Sequence, residues 1–331
     1  FYIIHDDGLG RALRDRLLGA CARGVEVRLM FDTVGSGRLP ESYLDPLRAA
    51  GARVMDRSTA RGPTSRLQIN YRNHRKTVIV DGRTGFTGGL NVGDEYLGLD
   101  PDMGPWRDTH VELRGPVVTQ LQLIFAEDWF FFTGESILEA LDWSPGNDPA
   151  DRTALVVATG PGDEMETGAM FFFSAITQAR ERLWIASPYF VPDTDILSAL
   201  KHAALRGVEV RLLLPDSIDH RIPWLAAFAY FDEVRAAGVE IWRYRDGFMH
   251  QKVVLVDDVF AAVGTHNLDN RSFRLNFEAM VAVFDSGFAE EVAIMLASDF
   301  ERAVLLDRTL SEQRLQIRLG APIARLFAPL L

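Results

Sequence analysis

Apolar and polar positions along this 331-residue chain follow two rhythms. Stretches such as Gly10 to Ala22 and Asp195 to Leu205 carry apolar residues three and four positions apart, the spacing of a helix with one buried face. Between such stretches lie short, unbroken apolar runs. Thr77 to Val80 (Thr-Val-Ile-Val) and Val253 to Val256 (Val-Val-Leu-Val) are largely β-branched, and each ends in an aspartate and a turn, so both predict buried strands. Phe1 to Ile4 predicts another strand.

The pattern occurs twice, which points to an internal repeat. Arg23-Gly24-Val25-Glu26-Val27-Arg28-Leu29 recurs letter for letter as Arg206 to Leu212. Each copy follows a helical stretch, has glycine at the helix stop and runs on as an apolar strand. Ala49-Ala50-Gly51 and Ala236-Ala237-Gly238 each end a further helix. Each half therefore reads helix, strand, helix, strand, then one more strand. The expected fold is α/β: two similar lobes, each a mixed β-sheet flanked by helices, related by a pseudo-twofold with the active site between them. Pro145, Gly146, Asn147, Asp148 and Pro149 cluster between Trp143 and Arg152, giving expected lobes of 1–145 and 150–331.

The last strand of each half carries the chemistry. His74-Arg75-Lys76 is followed after four residues by Asp81 and after six more by Gly88-Gly89-Leu90-Asn91. His250-Gln251-Lys252, Asp257 and Gly264-Thr265-His266-Asn267 repeat that spacing at every step. Residues i and i+2 of a strand share a face, so His74 projects with Lys76, and His250 with Lys252. Paired lysine and asparagine donors suit the non-bridging oxygens of a phosphodiester. Imidazole titrates near neutrality and serves as nucleophile or as general acid and base. Asp81 and Asp257 complete the doubled motif and are counted with its catalytic group. Their odd offset from the lysine turns them to the other face of the strand, where hydrogen bonding in support of the fold is expected. Asp108 and Glu278 are better placed in sequence to orient the histidines. The pairing of carboxylate with histidine stays open at this point.

His-x-Lys-x4-Asp-x6-Gly-x-x-Asn occurring twice resembles the phospholipase D superfamily, and within it the bacterial cardiolipin synthases. Pro188-Tyr189-Phe190-Val191-Pro192, Asp219-His220 with Pro223 and Trp224, Asn267 to Ser272 running on to Asn276-Phe277-Glu278, and the ending Ala324-Arg325-Leu326-Phe327 also match that subfamily. The resemblance covers essentially the whole chain. It implies two phospholipase D-like lobes and a phosphatidyltransferase that condenses two phosphatidylglycerol molecules to cardiolipin plus glycerol. His74 would form a phosphohistidine, His250 would protonate the departing alcohol and deprotonate the incoming one, and Lys76, Lys252, Asn91 and Asn267 would hold the phosphoryl oxygens. Two diester bonds of similar energy are exchanged, so no cofactor, nucleotide or metal is expected. A phospholipase D-type hydrolase of the same superfamily is the alternative. A binding protein with a dead site fits poorly with histidine, lysine and asparagine intact in both copies. The resemblance has serine where Gly89 and Thr265 stand, which leaves repeat one without a hydroxyl there. His220, in the matching Asp219-His220 loop, is a possible site-lining residue.

Charge and composition narrow the partners. The net charge of −11 argues against nucleic acid, whose partners are basic. Arg53, Arg57, Arg61, Arg66, Arg72, Arg75 and Lys76, against the single acid Asp56, lead into the first motif and read as a rim for anionic headgroups. The expected partners are thus an anionic phospholipid (phosphatidylglycerol) and the membrane surface. No oligomer is required, because one chain holds both motifs. The single cysteine, Cys21, excludes an internal disulfide and reads as a small core residue. No apolar run approaches the ~20 residues of a membrane span. The chain starts at Phe1 and reads as the membrane-associated catalytic region of a longer protein of the bacterial cytoplasmic membrane. Trp129 to Phe132 and Phe171 to Phe173 are expected in the core. Leu315 to Leu331, punctuated by arginines and Pro322, fits either an interfacial helix or one that packs back on the second lobe.

Overall fold

The computed structural model describes residues 1–55, 71–144 and 152–331. Asp56, Arg57, Arg61 and Arg66 of the basic run, and most of the expected lobe boundary, lie outside the described residues.

The first half runs α1 (Gly8–Ala22), β1 (Arg28–Leu29), α2 (Glu41–Ala49), β2 (Arg53–Val54), β3 (Arg72–Asn73), β4 (Thr77–Val80), β5 (Thr84–Gly88), β6 (Trp106–Arg107), β7 (His110–Arg114) and α3 (Val117–Thr133). Asp7 starts α1 by accepting the Gly10 N–H at 2.9 Å. The glycine repeated after the first helix of each half has one explanation: Gly24 and Gly207 sit at φ +83° and +92°, where a side chain is strained. Phe1 to Ile4 does not form the expected strand. It is tied by a single bridge, Ile4 to Val92. β4 pairs only with β5 and is therefore the edge of the β4-β5-β7 sheet. Its Ile79 packs inward while Val78 and Val80 are exposed, so it is half-buried rather than buried as its composition predicts.

The second half runs β8 (Thr153–Thr159), α4 (Thr167–Gln178), β9 (Arg182–Ala186), β10 (Phe190–Val191), α5 (Thr194–Leu205), β11 (Glu209–Pro215), α6 (Arg221–Arg235), β12 (Glu240–Tyr244), β13 (Phe248–Met249), β14 (Val253–Val256), β15 (Phe260–Gly264), β16 (Leu268–Asp269), α7 (Asn270–Arg274), β17 (Asn276–Phe284), α8 (Ser286–Glu301), β18 (Ala303–Leu305) and α9 (Leu315–Arg325). Its sheet has the order β18-β12-β11-β9-β14-β15-β17-β8. The β9, β11 and β12 trio is parallel, and the remaining neighbours are antiparallel. This is the mixed, helix-flanked sheet expected from the sequence. Phe172, Leu200 and Phe231 of α4, α5 and α6 pack with Ile185, Leu212 and Val254. Leu296 and Phe300 of α8 cover Trp184, Leu213 and Leu255 on the opposite face. β14 is consequently buried throughout, as its unbroken apolar run predicts.

The halves meet through packing and pairing. Leu121 and Ile124 of α3 share a core with Val156 of β8 and Val281 of β17. Two short parallel pairs cross between halves: β3 beside the start of β17, and β6 beside β13. No helix among the described residues is long and apolar enough to cross a membrane.

Candidate active site

The two crossing pairs build the site. In the first, Arg72 lies opposite Asn276 and Asn73 opposite Phe277, so the next step of the register sets His74 against Glu278. The His74 N–H donates to the Phe277 carbonyl at 3.0 Å and fixes that step. In the second, Phe248 lies opposite Trp106 and Met249 opposite Arg107, so His250 falls against Asp108. The His250 N–H donates to the Arg107 carbonyl at 2.8 Å. Each histidine is therefore met by a carboxylate from the other half. His74 Nδ1 is 2.9 Å from both Glu278 oxygens, and His250 Nδ1 is 3.0 Å from Asp108 Oδ2. This settles the pairing that sequence left open.

The two carboxylates are held differently. Glu278, fully buried, also accepts hydrogen bonds from Thr265 Oγ1 (2.6 Å), Ser272 Oγ (2.9 Å) and Asn276 Nδ2 (3.1 Å). Asp108 accepts from the Thr109 N–H (2.8 Å) and Trp106 Nε1 (3.3 Å). Gly89 occupies the position equivalent to Thr265. A Cβ on Gly89 would lie 1.9 Å from Asp108 Oδ1. The missing hydroxyl of repeat one is thus a steric requirement. Thr265 uses its hydroxyl on Glu278, so neither position supplies the phosphate contact that the comparison with serine suggested.

Electrostatics follow from burial in a cluster of opposite charges. Burial pushes Glu278 toward neutrality, but its interaction with His74, including the Nδ1 hydrogen bond, with His266 and Lys76 nearby, holds it well below the ordinary carboxylate range. Asp108 is lowered too: burial opposes ionisation, and His250, Lys252 and the Thr109 N–H outweigh it. His74 is pushed down to about 3, chiefly by burial and then by Lys76 and Lys252, against the pull of Glu278. It is neutral at pH 7, with Nδ1–H directed at Glu278 and the Nε2 lone pair free. His250 is lowered by burial and by Lys252, with Asp108 opposing. The lysines are buried as well. Lys76 Nζ donates to the His74 carbonyl at 2.7 Å and lies 5.4 Å from the Tyr2 ring centre. Lys252 Nζ donates to the His250 carbonyl at 2.5 Å and stands 2.9 Å from His250 Nδ1. Burial lowers Lys252 to about 8 and Lys76 well below its ordinary value. The lysines act on each other and on the opposite histidine, so all four residues share one electrostatic site. The ring of Tyr2 packs against His74 at 5.0 Å, and that of Trp106 against His250 at 5.2 Å.

Behind each pair an arginine–aspartate lock holds the backbone. Arg75 donates from Nε to the Glu278 carbonyl (2.9 Å) and from Nη1 to Asp128 of α3 (2.5 Å). Arg107 donates from Nη1 to the Asp108 carbonyl (2.5 Å) and forms a two-pronged contact with Asp299 of α8 (2.8 and 2.7 Å). Gln251, the residue between His250 and Lys252, also donates to Asp299 (2.8 Å). These supports escape sequence reasoning because helix periodicity marks Asp128 and Asp299 only as polar residues in apolar stretches.

The remaining expected site residues divide. Asn267 is buried beside the motif with Oδ1 lacking a hydrogen-bond partner among the described residues. Asn91 is engaged with the fold, accepting from the Ile3 N–H (3.1 Å) and donating to Tyr96 Oη (3.2 Å). Asp81 and Asp257, grouped by the motif with the catalytic residues, stand at the far ends of β4 and β14, about 16 Å of extended chain beyond their lysines. Both adopt left-handed backbone at turns, φ 54° and 51°. Asp257 gathers the N–H groups of Arg180, Glu181 and Arg182 at the start of β9, and Asp81 is exposed. Asp257 thus makes the fold-supporting hydrogen bonds expected of it, whereas the Asp81 side chain makes none among the described residues. His220 precedes α6 with its side chain 73% exposed. Its neighbour Asp219 instead reaches inward, bonding Tyr189 Oη and adding to the field at Lys252.

The chain matches the family described as "Cardiolipin synthase, PLD-like domain" over residues 1–129 and 172–303. It is 51% identical over 334 residues to cardiolipin synthase A of Pseudomonas aeruginosa PAO1, an alignment covering all of this chain and 67% of that protein. Against cardiolipin synthase A of Pseudomonas fluorescens Pf-5 the identity is again 51%, covering 69% of that protein. Among solved structures, a phosphatidylserine synthase from Haemophilus influenzae superposes with a TM-score of 0.70 at 13% identity, covering 100% of this chain and 89% of that one. At that identity the likeness speaks for the fold. Family and overlap agree with the doubled motif and its crossed pairs, and the chain belongs to the cardiolipin synthase family of phospholipase D-like proteins.

Proposed function

We propose that this protein is a cardiolipin synthase-type phosphatidyltransferase, acting on phosphatidylglycerol at the bacterial cytoplasmic membrane. The observation that carries the mechanism is the pair of histidines, each held by a carboxylate from the opposite half and flanked by a buried lysine. His74, neutral and oriented by Glu278, attacks phosphorus through Nε2. The P–O bond to glycerol breaks as His250 gives its proton to the leaving oxygen, leaving a phosphatidyl group on His74. The hydroxyl of a second phosphatidylglycerol then loses its proton to His250 and attacks phosphorus, and the P–N bond breaks. Atoms balance as two phosphatidylglycerols giving cardiolipin and glycerol.

Charge explains the roles. Lys76 and Lys252 offset the phosphodiester and the charge that develops on its non-bridging oxygens. Asn267, buried beside the motif, would donate to the same oxygens from its side-chain amide nitrogen. An anionic substrate beside the lysines raises the proton affinity of His250, so that histidine is charged when the site is filled. The test incubates phosphatidylglycerol vesicles with the protein and with His74→Ala. Cardiolipin and free glycerol, absent with the variant, are the expected result. Phosphatidic acid without cardiolipin would make water the acceptor and the enzyme a hydrolase.

A further inference from the structure

The small and large residues of α9 are distributed the wrong way round for a helix that merely closes the fold. Gly320, Ala321, Ala324 and the following Ala328 face the protein. At Gly320 a Cβ would lie 3.2 Å from Leu225 of α6, so the two helices approach closely. Arg325 fastens the contact, with its guanidinium 4.3 Å from the Tyr230 ring centre and a hydrogen bond to the Ala229 carbonyl (3.1 Å). The large apolar residues point outward: Leu315 is 64% exposed, Leu319 61%, Ile323 60% and Leu326 79%. At 100° per residue these four fall within one sector of the helix. Arg314 and Arg318 flank that sector, exposed, and their guanidinium groups make no hydrogen bond or ion pair among the described residues. The chain's last residues reach toward the site. The Leu331 carbonyl accepts the Arg271 N–H at 2.6 Å, and the charge of Arg271 acts on Tyr2, whose ring packs on His74.

We propose that α9 and the turn after it lie in the surface of an anionic bilayer and set the mouth of the site at headgroup level. An outward sector of leucine and isoleucine edged by unpaired arginines matches acyl chains below and lipid phosphates beside it. The arginines favour an anionic bilayer over another protein surface, against the chain's net charge of −11. The choice of phosphatidylglycerol rests on the function proposed above; the membrane face itself does not.

The test places an environment-sensitive bimane on Leu319→Cys in a Cys21→Ser background. Phosphatidylglycerol vesicles should shift its emission to the blue, and bromine on the acyl chains should quench it. Phosphatidylcholine vesicles should do so much less. No shift with phosphatidylglycerol overturns the proposal. So does emission that is already blue without lipid and immune to the bromine, since a second copy or another segment then covers the face. A kinetic arm uses Leu319→Ser/Ile323→Ser/Leu326→Ser, whose exposed positions leave thermal stability unchanged. The expected result is a KM for vesicle lipid raised about tenfold or more, with kcat and turnover of short-chain, monomeric phosphatidylglycerol kept. An unchanged KM overturns the proposal. Wild-type protein that inserts α9 but turns over neither substrate would instead overturn the proposed function.

Discussion

Because the orienting carboxylates cross between halves, Glu278→Gln and Asp108→Asn should fail at different steps. Gln is nearly isosteric with Glu, so Glu278→Gln keeps the packing and removes the charge. Two charge-assisted hydrogen bonds weaken at once, from His74 Nδ1 at 2.9 Å and Thr265 Oγ1 at 2.6 Å. Each is worth about 1.5–3 kcal/mol. Lys76, fully buried, also loses the carboxylate that most favours its charge. A loss of about 4 kcal/mol in transition-state stabilisation is expected, or about 10³-fold in kcat. The deciding assay uses a phosphatidyl ester of p-nitrophenol, whose leaving group needs no proton. Asp108→Asn disables only the acid and base, so it should release one p-nitrophenol per site in a burst and then stall on the His74 adduct. Glu278→Gln misaligns the nucleophile and should show no burst. The opposite pattern, or two identical profiles, would refute the crossed assignment, and a kcat for Glu278→Gln within tenfold of wild type would refute the magnitude.

Four further outcomes follow from the same geometry. Since Lys252 is held at about 8, kcat/KM should fall above about pH 8 as the free enzyme loses that charge. A profile level to pH 9.5 would count against a charged Lys252. His74 has a folded value of about 3, below the roughly 6.5 of an unfolded chain. The unfolded state therefore binds the extra proton between those values, and Tm should drop as pH falls from about 6.5 toward 4, less steeply in His74→Gln. Gly89→Ala puts a Cβ where Asp108 Oδ1 lies, so activity should fall by about 10²-fold or more with repair blocked by the buried surroundings. Full activity would mean the Asp108 carboxylate can move without cost. Asp257→Ala orphans three backbone N–H groups and should cost about 2 kcal/mol in denaturant unfolding, with kcat within threefold. A kcat loss of 10²-fold would return Asp257 to the catalytic group.

What the sequence made legible was whatever a strand records locally. His74 comes together with Lys76 and His250 with Lys252 as a two-residue period predicts, although each pair lies in the short link between two strands, and Asp81 and Asp257 stand in the turns that end β4 and β14. The repeated Arg-Gly-Val-Glu-Val-Arg-Leu gave the doubled architecture for the same reason, because helix stop and strand start are local. Partnership between the halves is not local. It depends on β3 finding β17 and β6 finding β13, two-residue pairings that leave no periodic trace. Nor does composition show that Thr265 serves a carboxylate, or that Gly89 is small because Asp108 fills its space. The exposure of Val78 and Val80 was hidden because an apolar run reads alike on an edge strand and a central one. These non-local features share a consequence. Neither half holds a complete acid–base pair: the first has His74 and the carboxylate for His250, and the second has His250 and the carboxylate for His74. The repeat therefore doubled a scaffold, and the chemistry belongs to the interface between its copies.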